Sequence, residues 1–161
     1  MAKRTLQDVA GPKVWEVREL TRQPRQAEAR ALLERIAKQV QPIMRRRGWR
    51  VCKLSEFYPR SDNLLGLNVN AGQEVKVRLR QPRDRSRFFP YEFCLGTMLH
   101  ELVHNEVGPH NAKFYKLLEE LRTECAQLLA KGITGTGEGF DAPSAVRPHK
   151  EVAPAFKEEA Q

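Results

Sequence analysis

The sequence predicts an α+β domain, and three observations carry that prediction. Two long stretches, 24–46 and 112–130, space their apolar residues at helical period. Short runs of strand character stand between them, the cleanest at 74–80, where Val75, Val77 and Leu79 alternate with Lys76, Arg78 and Arg80. A further helix, begun by Pro90, carries His100-Glu101-Leu102-Val103-His104. The 161 residues, 40% of them apolar, are enough for one domain with a real core. No apolar run is long enough to cross a membrane, and residues 1–8 lack the apolar segment of a secretory signal.

Residues 1–12 are expected to be a flexible lead ending at Gly11-Pro12, followed by a domain over 13–140. A first strand is expected at 14–20. Pro24 suits the first turn of a helix to about Arg46, with Ala27, Ala31, Leu32, Ile36, Val40 and Ile43 as its stripe. Pro42 should kink that helix or end it early, and Gly48 closes the segment. A second strand is expected at 49–57 and a loop at 58–63. Runs 64–70 and 74–80 form a hairpin turning at Ala71-Gly72. The alternation at 74–80 puts one face in the core and makes the other a basic stripe, and 81–87 is a charged loop.

On the helix from Pro90, Leu95, Met98, Leu99, Leu102 and Val103 share one side, and Thr97, His100, Glu101 and His104 the other. The first side can dock on the core while the second lines a cleft. Asn111 is a good N-cap for the last helix, whose stripe is Phe114, Leu117, Leu118, Leu121, Cys125, Leu128 and Leu129. Gly132 stops it. The Gly-rich run 132–139 is expected to be a loop with function or contacts. The Pro-, Ala- and charge-rich tail at 141–161 is expected to be disordered.

Histidines at i and i+4 of a helix share a face, and zinc takes neutral imidazoles at adjacent corners of a tetrahedron. His100 and His104 supply two corners. Gly108 and Pro109 should stop the helix and turn the chain so that His110 supplies a third. A fourth, open corner and a non-ligating Glu101 as acid/base make the parts of a metal-dependent peptidase. The alternative is a structural zinc with Cys94 or Cys125 as fourth ligand. Cys94 lies two turns before Glu101, about 10 Å along the axis, and Cys125 sits in a core stripe. His149, in the polar tail, is a bystander. The odd number of cysteines, without a CxxC pair, reads as reduced thiols.

The net charge of +8 suggests a polyanionic partner. Two basic groups stand out: Arg45, Arg46 and Arg47 with Arg50, and Lys76, Arg78, Arg80, Arg83, Arg85 and Arg87. Phosphate neutralisation by such groups gives sequence-independent, salt-sensitive binding. Trp49, Phe88, Phe89 and Tyr91 lie beside them and could stack on unpaired bases, although packing in the core is the more ordinary use of an aromatic ring.

The run 100–114, His-Glu-Leu-Val-His-Asn-Glu-Val-Gly-Pro-His-Asn-Ala-Lys-Phe, resembles the signature of the WLM-domain, or Wss-like, metalloproteases, relatives of the SprT/Spartan proteases. Residues 64–70, 77–80 and 135–140 are similar to further blocks of that family. The resemblance implies a compact zincin-like fold, a small mixed sheet with the active-site helix beneath it. It implies zinc held by His100, His104 and His110, with Glu101 as acid/base. It further implies DNA-dependent cleavage of proteins crosslinked to DNA, and self-cleavage, in the nucleus, with single-stranded or distorted DNA as partner. SUMO and an AAA+ segregase are further partners of the family, but no apolar run of SUMO-binding type follows Gly139. By analogy with zincins, 64–70 is the edge on which a substrate adds as a strand. Two other functions fit the residues: a general intracellular zinc peptidase whose charge serves solubility, and a non-enzymatic DNA-binding module with a structural zinc.

Overall fold

The computed structural model describes residues 12–135. The elements run β1 (Val17–Arg18), α1 (Gln26–Arg47), β2 (Leu54–Glu56), β3 (Gly66–Val69), β4 (Glu74–Val77), β5 (Arg80–Gln81), β6 (Asp84–Phe88), α2 (Tyr91–Val103) and α3 (Ala112–Lys131). The expected lead and tail, residues 136–139 of the Gly-rich run and His149 lie outside the described residues. Among those described, no helix is long and apolar enough to cross a membrane.

The main sheet has the order β1-β2-β4-β3 and is mixed. β1 and β2 pair in parallel, as do β2 and β4, while β3 and β4 form the expected antiparallel hairpin with Gly66 opposite Val77. The hairpin turns through Asn70, Ala71 and Gly72, all with positive φ. The first two expected strands are shorter than the apolar runs suggest. Val14 and Val51 meet only in an isolated parallel bridge, and pairing resumes at Val17 and Leu54. The expected loop 81–87 instead forms a second small sheet, β5 against β6.

One core joins the sheet to all three helices. Leu33, Ile36, Val40 and Ile43 of α1, Leu95, Met98, Leu99 and Leu102 of α2, and Leu118 and Leu121 of α3 are essentially fully buried with Leu54, Val75 and Val77. Each such aliphatic side chain contributes ~1.5–3 kcal/mol on leaving water. The α1 stripe differs from the expected one at its start. Ala27 and Ala31 are exposed, and Ala29, Leu33 and Ala37 are buried in their place.

Pro42 does not end α1, which runs on to Arg47. A proline inside a helix has no N–H for the carbonyl four residues back. Here that carbonyl belongs to Lys38, and Gly135 N donates to it at 2.8 Å. The segment after α3 therefore fills the gap in the α1 ladder. It does so at a range only glycine allows, since a Cβ on Gly135 would lie 1.9 Å from Gln41 Oε1. Lys38, Gln39 and Gln41 are buried on this side of α1.

The expected basic stripe is the main correction. Lys76 is half-buried, but Arg78 and Arg80 are 1% and 0% exposed. The Arg80 Nε meets Glu56 Oε2 at 2.6 Å, and its Nη1 donates to the carbonyls of Pro24 and Arg85, both at 2.6 Å. The Arg78 Nη2 donates to the carbonyl of Pro59, and its guanidinium lies 4.9 Å from the Tyr58 ring centroid. The outer face of this strand run is covered by the loop from Phe57 and by the β5–β6 sheet. Both arginines are braces inside the fold and are not available to phosphate.

Candidate metal centre

The polar face of α2 turns towards a cleft of ≈ 440 Å³ lined by His100, Glu101, His104, Gly108 and His110, with Leu64, Gly66, Leu67 and Asn68 on the opposite wall. The opposite wall is β3, the end strand of the main sheet. Helix α2 ends sooner than Gly108-Pro109 suggests. Its last residue is Val103, and the chain continues in tight turns, with Asn105 N on the Leu102 carbonyl and Glu106 N on that of Val103. Gly108 lies outside the left-handed region, and a Cβ there would meet open space. The reversal is made by these turns without calling on glycine's extra freedom.

His110 is placed by the start of α3. Asn111 is the N-cap, and its side chain accepts from Phe114 N at 3.0 Å. The His100 and His110 Nε2 atoms are 3.2 Å apart, and those of His104 and His110 3.1 Å. A tetrahedral ion with Zn–N bonds of 2.0–2.1 Å needs donors about 3.3–3.4 Å apart. The His104 Nδ1 sits 3.1 Å from the Val107 carbonyl. A proton on that nitrogen leaves the Nε2 lone pair facing the other two rings. The cluster fits a metal ion on geometry and on donor chemistry.

Burial and the adjacent His104 and His110 pull the His100 pKa down to about 4, and burial also lowers that of His104. Both effects favour the neutral, ligating imidazole. Burial pushes the Glu101 carboxyl up to about 8. No cysteine joins the cluster; the three histidines are the set that meets among the described residues. Cys94 and Cys125 are buried elsewhere, with the Cys125 thiol pushed up to about 12 by desolvation. A closed structural site using either thiol does not fit this arrangement.

Three residues matter here besides the three histidines and Glu101. The Phe114 ring lies 4.9, 4.7 and 4.8 Å from the centroids of His100, His104 and His110, so one aromatic side chain backs all three. Its place three residues after the cap was visible in sequence, but its helical stripe marks it as ordinary core. Gly66 lets β3 pass over Glu101: a Cβ there would come within 2.8 Å of Glu101 Oε2 and of Thr97 Cγ2. A glycine inside a strand is a signal of such close approach. Asn68 is an unfavoured residue type for a strand, and it bonds across the cleft to the Glu101 carbonyl at 2.7 Å.

The basic residues are not gathered at the cleft. Arg46 and Arg47 both reach Glu124 of α3, at 2.8 and 2.6 Å, and Arg45 is exposed. Arg83, Arg85 and Arg87 are exposed on the second sheet and its turn, with Arg85 4.1 Å from the Tyr58 ring centroid. Trp49 is buried with its Nε1 on Glu106, and Phe88, Phe89 and Tyr91 pack against the core. The aromatics are structural, as the ordinary reading has it.

A family model described as the WLM domain matches residues 12–159. The chain is 44% identical over 110 residues to the DNA-dependent metalloprotease WSS1 of Saccharomyces cerevisiae, covering 68% of this chain and 41% of that protein. It is 37% identical over 106 residues to the DNA-dependent metalloprotease WSS1 homolog of Schizosaccharomyces pombe, covering 66% and 39%. The chain thus spans about two fifths of the length of these curated relatives. The fold is similar to the crystal structure of Wss1 from S. cerevisiae, with a TM-score of 0.75 at 41% identity, covering 76% of this chain and 96% of that one. Against Wss1 from S. pombe the TM-score is 0.63 at 34% identity, covering 70% and 92%.

Proposed function

The chain belongs to the WLM-domain family, and from that premise we propose that it is a DNA-dependent zinc metalloendopeptidase acting on proteins bound or crosslinked to DNA, and on itself. The observation that carries the peptidase reading is the convergence of three imidazole Nε2 atoms beside a buried, unligated Glu101 in one cleft. His100, His104 and His110 would hold the ion, and the three-nitrogen donor set suits zinc. Bound there, zinc supplies Lewis acidity for the attack of water on a peptide carbonyl. Glu101, in the cleft beside the three imidazoles and not a ligand, would take a proton from water and pass it to the leaving amine. Phe114 closes the back of the imidazole cluster. The end strand β3 offers a substrate the backbone edge on which to lie.

The DNA partner is supported by the names of the relatives and by the net charge of +8. Of the basic residues named from sequence, Arg45 and Arg50 are exposed, as is Arg46 although it pairs with Glu124, and Arg83, Arg85 and Arg87 are exposed on the second sheet; half-buried Lys76 is a lesser candidate for phosphate contact. Single-stranded or distorted DNA, a nuclear location and a role in crosslink repair follow from the same reading. SUMO and segregase partners have no support in these residues. The test is metal analysis with a DNA-titrated cleavage assay. About one zinc per chain and cleavage that rises with DNA are expected; equal rates without DNA and with single- or double-stranded DNA would remove DNA activation.

A further inference from the structure

We propose that Asn68 is a positioning residue, the clasp that holds the strand edge offered to a substrate in register with Glu101; this rests on the peptidase reading above. The Asn68 Oδ1 accepts from Gly72 N at 2.8 Å. Its Nδ2 donates to the Glu101 carbonyl and to Asn105 Oδ1, both at 2.7 Å. The Asn105 Nδ2 donates in turn to the Arg50 carbonyl at 3.1 Å. A backbone N–H at one end and backbone carbonyls at the other leave each amide a single orientation, so the polarity of the chain of bonds is determined.

The clasp acts on the residue that carries the chemistry. The Glu101 carbonyl, freed where α2 ends, accepts from both His104 N at 3.1 Å and Asn68. Two residues earlier on the same strand, Gly66 lies against the Glu101 carboxylate with no room for a Cβ. Strand β3 therefore meets Glu101 twice, at its side chain through a missing Cβ and at its backbone through an amide. A peptide laid along β3 inherits that alignment. The far end of the clasp is equally tight: a Cβ on Gly72 would lie 2.2 Å from the Arg50 carbonyl oxygen.

The bond polarity gives an asymmetric test on the full zinc-loaded chain. Asn68→Asp turns the double donor into an acceptor facing two acceptors. Asn105→Asp keeps the Oδ1 that Asn68 needs and sets its other oxygen against one acceptor, the Arg50 carbonyl, where N68D faces two. The readouts are zinc per chain, kcat and KM on fluorescently labelled casein with DNA present, and amide hydrogen exchange over 64–70. For N68D we expect kcat per bound zinc to fall on the order of 10–100-fold, as ångström-scale misplacement does. KM should change by less than about threefold, and exchange at 66–69 should rise roughly tenfold as the clasp opens. N105D should move kcat per zinc and exchange in the same direction as N68D, but by clearly less. Asn68→Ala, which adds no charge, carries the same expectation should N68D not fold. Wild-type kcat per zinc in N68D and N68A, with Glu101→Gln inactive, overturns the positioning role and leaves the peptidase standing. Unchanged exchange at 66–69 overturns the clasp whatever the activity. Wild type no more active than E101Q overturns the peptidase reading, and the proposal with it.

Discussion

Arg80 and Glu101 are both deeply buried, at 0% and 6% exposure, yet their surroundings are opposites. Arg80 has Glu56 at 2.6 Å and two carbonyls at the same distance, so its charge is met from inside the fold. Glu101 has the apolar wall of Gly66 and Thr97 Cγ2 beside it, and no hydrogen bond to its carboxylate is seen among the described residues. Its proton is held to about pH 8 as a result. His100, lowered to about 4, shares the condition. A buried charge met by an opposite charge and by backbone carbonyls is a brace. A buried ionisable group without them is poised, and its charge waits on an ion or a reactant.

The largest expected effect separates the two regions by activity. Glu101→Gln should lower cleavage on the order of 10²–10⁴-fold while zinc content and folding persist; retained activity would break the comparison. Next comes the brace. Arg80→Met leaves Glu56 buried without its partner and should cost about 3–5 kcal/mol, read from urea unfolding. Arg80→Met with Glu56→Gln should cost clearly less, and equal losses would mean that the pair is not the cause.

The third effect is pH-dependent and belongs to the metal-free chain. The Glu101 pKa is about 8 when folded and near the ordinary 4.5 when unfolded. Between those values the folded state binds the extra proton, so stability falls as pH rises through that window. Glu101→Gln lacks this loss. Its stability should gain on wild type from pH 4.5 to 8 and level off above, by up to about 5 kcal/mol, read as a widening difference in melting temperature. Zinc should shrink that difference, because a nearby cation favours the carboxylate. A constant difference across the range would show that Glu101 is not poised. The smallest effect on the fold is at the surface. Replacing Arg83, Arg85 and Arg87 together by Ala should move stability by no more than about 0.5 kcal/mol. The slope of log affinity for DNA against log salt should fall by about 2–3 if all three meet phosphate; an unchanged slope would place the contacts elsewhere.

What could be read from the sequence follows the range of the interactions. His100 and His104 need only one helix turn to meet, and Asn111 caps the helix that brings His110 beside them, so the ligand set is visible in eleven residues. The 66–77 hairpin is equally local. Alternation alone misplaces Arg78 and Arg80, because it assigns sides and says nothing of what covers them. Their cover comes from the loop at Pro59 and from β6. The close pass of Gly66 and the reach of Asn68 to Glu101 depend on how β3 lies over α2, 33 residues on from Asn68. The early end of α2 has the same origin, since its last carbonyls are taken up by turns and by that strand.

Pro42 and Gly135 carry a consequence for the order in which the chain can be completed. The bond from Gly135 N to the Lys38 carbonyl cannot form on the ribosome until the end of the described domain has emerged. Helix α1, although among the first elements made, closes its ladder last. A nascent chain that stops at α3 lacks one of its own helix's bonds, worth about 0.5–1.5 kcal/mol. Gly135, the last described residue, thereby ties the segment after α3 to the flank of the domain's first helix.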